Sequence, residues 1–318
     1  MKKKGRPKKN KNLNINDAIH DINTSNLYPP NIIISTKMAN KIINTKEIEH
    51  TVRVSCDKPS MFATLLDCIK GKDKYINIMF DKTGFSFTQT DNIHKDMIRY
   101  ECKIFPDKLS AYDLSVDREV IKIELELLIK TLKSIPKDHI VTFLVYSGDN
   151  KRFFRILSND RDKKIKSYVD TIININGTIG YSPITLKNKD TKYETIYKQE
   201  SVDFHKNCVK INSFTNVFNI MCSELTKGEI VIDYSYEVGN LCSSIRNPQS
   251  FNFVFISTPS SMVKSTFNVG ALLKLSKLHK ISPVIKIYLS NSEPLIIEYT
   301  IGDGMGLMQI FCSQQNKI

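Results

Sequence analysis

Long apolar runs are missing from this 318-residue chain: none approaches 18 residues, and the N-terminus carries no apolar stretch behind its basic one. A membrane-spanning helix and a secretory signal are therefore not expected. The seven cysteines, at 56, 68, 102, 208, 222, 242 and 312, are odd in number, and no two have C-x-x-C spacing. That argues against a zinc site and for reduced, buried thiols of an intracellular protein. Enzyme signatures are equally scarce. Gly71-Lys72 is followed by Asp73, so there is no phosphate loop, and neither G-x-S-x-G nor H-E-x-x-H occurs. Gly302-x-Gly304-x-Gly306 lies between two strand-like runs and opens no helix. Glu124 and Glu126 sit at a strand–helix junction without a cleft pattern. The reading is a protein that is not an enzyme and uses no cofactor or metal.

Acidic residues are absent from the first twelve positions, which hold seven basic ones. The formal net charge is +13, so the head contributes +7 and the other 306 residues only +6. Arg is rare beside Lys, 8 against 38, and Asn and Ile are plentiful, a bias that points to an AT-rich genome, cellular or viral. Residues 1–45 show no sustained hydrophobic period and read as a basic, disordered extension. Within it Lys4, Gly5, Arg6, Pro7, Lys8 and Lys9 contain a Gly-Arg-Pro core, read either as a minor-groove hook or as a solvated import tail.

From residue 47 the chain reads as strands with a few short helices. Strands are expected at 47–55, 75–80, 85–90, 97–105, 119–125, 140–146 and 152–157, and helices from Pro59 and at 126–135. In the second half, strands are expected at 201–205, 229–236, 241–245, 251–257, 284–289 and 295–301. Helices are expected at 214–225, from the spacing of Phe214, Val217, Phe218, Met221 and Leu225, and at 270–279. The helix–hairpin units around Leu127–Ile156 and Leu272–Tyr299 can be laid over each other, so an internal duplication is expected. The domains would be 46–173 and 199–318, with 174–198 as an exposed connector.

The helices at 126–135 and 270–280 each pair an apolar face with a face of lysines: Lys130, Lys133 and Lys137, then Lys274, Lys277 and Lys280. Ordinary solvated helix faces mix signs, and these read as unmixed. Lys58, Lys70, Lys72 and Lys74 flank the first helix, and Lys206 and Lys210 lie near the third.

Two segments carry a resemblance. Gly84-Phe85-Ser86-Phe87-Thr88-Gln89-Thr90-Asp91-Asn92-Ile93-His94 and Pro294-Leu295-Ile296-Ile297-Glu298-Tyr299, followed by Asp303 and Met305-Gly306, are similar to the eukaryotic-type DNA sliding clamp, the proliferating cell nuclear antigen family. The similarity covers about residues 47–316. The Lys-rich head resembles clamp-like proteins of large cytoplasmic DNA viruses.

The resemblance implies an α+β DNA clamp fold: two similar domains, antiparallel sheets outside and paired helices lining a central channel. It implies a homotrimeric ring that encircles double-stranded DNA as a polymerase processivity factor. DNA polymerase and other replication or repair proteins would bind through short hydrophobic motifs, and a clamp-loader ATPase would open the ring. The setting would be the nucleus, or a cytoplasmic viral replication factory.

Lys58, Lys70, Lys72, Lys130, Lys133, Lys137, Lys206, Lys210, Lys274, Lys277 and Lys280 would face the DNA. Thr90, Ile179, Tyr181, Pro183, Pro294, Ile310 and Phe311 would line the partner groove, and His94 would be a structural loop residue. Subunits would meet through edge strands at 167–173 and 249–257, with Tyr168, Val169, Ile172, Phe251, Phe253 and Phe255. Departures from the family, Thr90 in place of Met and Ile310-Phe311 in place of an aromatic pair, leave a clamp-fold DNA-binding or transcription factor that does not slide, or a peptide-binding scaffold, as alternatives.

Overall fold

The computed structural model describes residues 32–33, 49–71, 73–93, 96–148, 150–162, 165–173, 193–224, 230–238, 241–248, 254–258 and 262–314. A two-residue strand, β1 (Ile32–Ile33), comes first. The first half then runs β2 (His50–Cys56), α1 (Pro59–Cys68), β3 (Tyr75–Asp81), β4 (Gly84–Ile93), β5 (Asp96–Ile104), β6 (Ala111–Leu114), β7 (Arg118–Glu124), α2 (Leu125–Ser134), β8 (Ile140–Gly148), β9 (Lys151–Asn159) and β10 (Ile165–Ile172). The second half runs β11 (Thr195–Glu200), α3 (Ser201–Asn212), β12 (Val217–Glu224), β13 (Ile230–Val238), β14 (Leu241–Pro248), β15 (Val254–Ser257), β16 (Val263–Asn268), α4 (Val269–Leu273), β17 (Val284–Leu289), β18 (Leu295–Ile301) and β19 (Gly306–Cys312). A 3₁₀ segment, Lys274–Lys280, continues α4.

Both halves therefore have one order: strand, helix, five strands, helix, three strands. The duplication expected from the sequence is present, and it is closer than the sequence indicated. The first helix of each half leads the second by 66 positions (59 to 125) and by 68 (201 to 269).

Two expectations in the second half are corrected. Residues 201–205 open helix α3 and are not a strand, and 217–224 form strand β12 and not a helix. In β12, Phe218, Ile220 and Cys222 are fully buried at every second position, and this alternation prevails over the helical spacing that Phe214, Val217 and Met221 happened to share. In α3 the buried stripe is Phe204, His205, Cys208 and Ile211, an apolar face interrupted by an imidazole and a thiol. The helix expected at 270–279 is one short α-helix followed by 3₁₀ turns. Strands β1, β6, β11 and β16 had no sequence counterpart; most of β11 falls in the stretch expected as connector.

Sheet topology explains how the halves join. The first half forms β10-β9-β8-β2-β6, with β1 added beyond β10, and β5-β4-β3-β7. The second half repeats these as β19-β18-β17-β11-β15 and β14-β13-β12-β16. Strand β19 pairs antiparallel with β5 along seven residues, from Gly306↔Ile104 to Cys312↔Ile98, and this seam fuses the middle sheets into one of nine strands. Backbones lie close at Ile104. A Cβ on Gly306 would stand 2.2 Å from the Lys103 carbonyl oxygen, and one on Gly84 would stand 2.0 Å from the Ile104 carbonyl oxygen. Gly84 also has a φ of +122°, so both positions need glycine.

The helices lie together. α1 packs on α2, α3 packs on α4 and the 3₁₀ segment, and α1 also touches that segment across the halves. A single buried cluster runs from Val52 and Phe62 through Phe85 to Phe204, Phe218 and Tyr299. The first N–H of α2 donates to the Lys74 carbonyl (2.9 Å), and that of α3 to the Pro283 carbonyl (2.8 Å). These helices are thus capped by backbone just ahead of the neighbouring strand, β3 or β17, and not by side chains of their N-cap residues. Among the described residues six cysteines, Cys56, Cys68, Cys102, Cys208, Cys222 and Cys312, are buried and in no disulfide. Among the described residues no helix is long and apolar enough to cross a membrane.

Candidate nucleic-acid interface and peptide groove

The apolar faces of the helices supply the core, so their other faces meet solvent. Lys58, Lys70, Lys130, Lys133, Lys137, Lys206, Lys210 and Lys280 are all exposed on or beside this helix layer. The backbone of Lys274 and Lys277 lies on the 3₁₀ segment; their side chains, and Lys72, fall outside the described residues.

The lysine faces are not unmixed. Glu126, at the start of α2, lies 3.6 Å from Lys70 Nζ and 3.2 Å from Lys130 Nζ. Asp67 of α1 takes Lys133 at 3.3 Å, Asp203 takes Lys206 at 3.3 Å, and Asp303 reaches Lys58 at 3.7 Å. Lys74 pairs with Glu124 at 3.5 Å. The Glu126–Lys130 and Asp203–Lys206 pairs lie four and three residues apart on one helix, whereas the pair from Asp67 to Lys133 joins two helices and has no local spacing to show it. The hydrogen bond from Lys130, together with the charges of Lys130 and Lys70, holds the Glu126 carboxyl below its usual range. Exposed pairs of this kind are weak, so a phosphate can take either lysine at little cost. Among the described residues no acidic group pairs with Lys137, Lys210 or Lys280.

On α3, Val202 and Val209 are exposed beside Lys206 and Lys210, and with His279 and Lys280 they line a cavity of about 450 Å³. His205 borders this cavity but is itself 5% exposed. Its Nε2 lies 3.2 Å from the Tyr299 hydroxyl, and burial, with His279 nearby, lowers its pKa to about 4.

The expected groove residues separate into three groups. Thr90 and Phe311 are half-buried, and so is Pro294, whose carbonyl accepts a hydrogen bond from the Tyr193 hydroxyl at 2.9 Å. Ile310 is fully buried in the main core, because it faces the opposite side of β19 from Phe311; it does not line a surface groove. Ile179, Tyr181 and Pro183 lie outside the described residues. The sequence reading missed the residues against which Phe311 packs: Tyr193, Ile196, Tyr288 and Ile296, with the rings of Tyr193 and Tyr288 edge to face at 5.6 Å. The available signal was Tyr193, an aromatic directly ahead of the alternating strand Thr195–Glu200, a stretch assigned to the connector.

Of the expected interface residues, Tyr168 and Val169 are half-buried on β10. The Arg155 guanidinium stands 4.6 Å from the Tyr168 ring and makes a forked pair with Asp170 at 2.6 Å. Phe255 leans on Tyr197, with ring centroids 6.0 Å apart, and β15 is a four-residue edge strand paired with β11. Phe251 and Phe253, the side chain of Ile172, the head from Lys4 to Lys9, and His94 lie outside the described residues.

Residues 187–315 match the family model described as Proliferating cell nuclear antigen, C-terminal domain. The second half of the chain belongs to the proliferating cell nuclear antigen family. With the first half repeating its element order, the whole has the clamp fold: antiparallel sheets and one layer of helices. Its function is of the sliding-clamp kind, and the family implies DNA and replication proteins as partners and a DNA-associated location.

Proposed function

We propose that three copies of this chain close into a ring that encircles duplex DNA and tethers polymerases and other replication or repair enzymes to it. The observation that carries this is the β5–β19 seam. In the first half β10 holds the place of β19, and in the second half β14 holds the place of β5; β14 ends its sheet, and β10 ends its own but for β1. A head-to-tail neighbour that repeated the internal seam would set β10 of one copy against β14 of the next. The second contact strand then becomes Leu241–Pro248 in place of the expected 249–257, because β15 is the outer neighbour of β11 and Phe255 turns inward.

In such a ring the helix layer faces the channel. Lys130, Lys133, Lys137, Lys206, Lys210 and Lys280 would meet phosphates, with Lys58, Lys70, Lys72, Lys274 and Lys277 beside them. Phosphate contacts carry no sequence information, and a flexible point charge grips no base, which suits sliding. Thr90, Pro294 and Phe311, extended by Tyr193, Tyr288 and Ile296, would receive the aromatic or aliphatic anchor of a partner motif beneath residues 179–183. The units would be 46–173 and the part from β11 onward. Lys4–Lys9 would serve as a minor-groove hook or import tail, and a loader ATPase would open the ring, in a nucleus or a viral replication factory. The protein would act without chemistry of its own.

Sedimentation should give a trimer at micromolar concentration, and the protein should slide off linear DNA and stay on DNA with blocked ends. Equal retention on both DNAs would instead favour a non-sliding DNA-binding factor, and a persistent monomer would reject the ring.

A further inference from the structure

Strand β10 is not bare. The two-residue strand β1 lies antiparallel along its outer edge, Ile32 opposite Thr171 and Ile33 opposite Asp170. Sixteen residues separate it from β2, so it comes from the extension ahead of the first domain. Its place in the repeat is telling. In the second half the matching edge, that of β19, is occupied by β5 over seven residues. In the first half the same edge carries a two-residue segment of the chain's own extension.

An open edge strand is a template for any other strand, and covering it with a short segment is a common protection. A two-residue cover is also weak, because each net backbone hydrogen bond contributes about 0.5–1.5 kcal/mol and the ladder here is minimal. A seven-residue ladder on the same backbone outcompetes it. Asp170, one of the two covered positions, is fixed by the forked pair with Arg155, so this part of the edge is held in shape whichever strand occupies it.

We propose that Ile32–Ile33 is a self-docked guard of the β10 edge: it occupies the free chain's edge and is displaced when β14 of a neighbouring copy adds there. This rests on the ring reading above. The guard makes closure a competition between an intramolecular and an intermolecular strand. It would set the concentration at which rings form and keep the monomer's edge from pairing with the wrong partner.

The test compares the full chain with the double variant Ile32→Pro, Ile33→Pro, whose prolines cannot donate to a ladder. Ser243→Pro and Ser244→Pro, made singly in β14, are the controls. Adjacent strand residues alternate edges, so one of the two removes an outward N–H. Amides of β10 that face β9 stay protected in both proteins, so hydrogen exchange on dilute monomer should show the outward-facing amide at the β1 bridge, that of Asp170 or Thr171, protected in the full chain and unprotected in the double variant. Sedimentation equilibrium should place the assembly midpoint of the double variant at about three- to tenfold lower concentration than that of the full chain. Equal protection, or an unchanged or raised midpoint, overturns the guard while leaving the ring intact, provided one of the β14 prolines still abolishes assembly. Assembly that survives both β14 prolines, or a chain that never assembles, overturns the ring reading itself and the guard with it.

Discussion

Glu126 and His205 are the two residues whose environments give the sharpest expectations. Glu126 pairs with Lys70 and Lys130 on the helix face proposed to meet DNA. Glu126→Gln should leave the fold intact, tighten binding to end-blocked duplex by about two- to fivefold at low salt, and steepen the salt dependence by up to about one charge. Fluorescence anisotropy across a salt series reads both quantities. His205 has a folded pKa of about 4, below the ordinary imidazole value of about 6.5. Above pH 6.5 both folded and unfolded states are neutral at this residue, and its titration costs nothing. As pH falls from about 6.5 to 4 only the unfolded state takes up the proton, so stability falls through that window by on the order of 3 kcal/mol at most and then levels off. Urea midpoints for the native chain should show that slope, and His205→Gln, which keeps a polar partner for Tyr299, should flatten it.

Among the elements, the seam where β19 meets β5 brings two backbones close at Gly306. Gly306→Ala would drive a methyl group into the Lys103 carbonyl, which is backbone and cannot swing aside. The expected loss is about 2–4 kcal/mol, seen as a lower denaturant midpoint, whereas Gly304→Ala, with open space around it but a positive φ, should lose about 1 kcal/mol.

How far such elements were legible in the sequence depended on how clean their periods were. Pro59 at the head of α1 and the polar–apolar alternation of residues 51–55 in β2 were readable, and so were the hairpins β8–β9 and β17–β18. α3 was not, because its buried stripe includes His205 and Cys208 while Val202 and Val209 face solvent. β12 was misread because its flanking residue Phe214 extends an accidental helical spacing. Charge was legible at the lysines; the pair from Asp67 to Lys133 was not, because it joins two elements, whereas Glu126 and Lys130, four residues apart on α2, carried a readable local signal. The lysines were found, but the carboxylates that answer them were not. Phe311 was found, but Tyr193 and Tyr288 beside it were not. Ile310 was assigned to the surface because sequence adjacency says nothing about which face of a strand each neighbour takes.

At the level of the whole molecule, repetition decides the expectations. If the ring repeats its own internal seam, a change at one junction should be felt twice. A charge placed on β10 at Val169 (Val169→Asp) should raise the concentration needed for trimer formation at least tenfold without lowering the stability of the monomer by more than about 1 kcal/mol, as light scattering and thermal unfolding would report. Phe311→Ala should weaken capture of a short peptide with an aromatic anchor by about tenfold while retention on end-blocked DNA stays unchanged.

The six buried thiols among the described residues give the molecule a clock of its own. Burial pushes Cys56 and Cys222 up to about 11 and Cys102 and Cys208 higher still, so at neutral pH they are protonated, shielded and slow to react. Three lie in the first half and three in the second. The rate at which each is alkylated, followed by mass, therefore times the opening of its own half. Equal rates would mean that the shared nine-stranded sheet makes the two repeats breathe together.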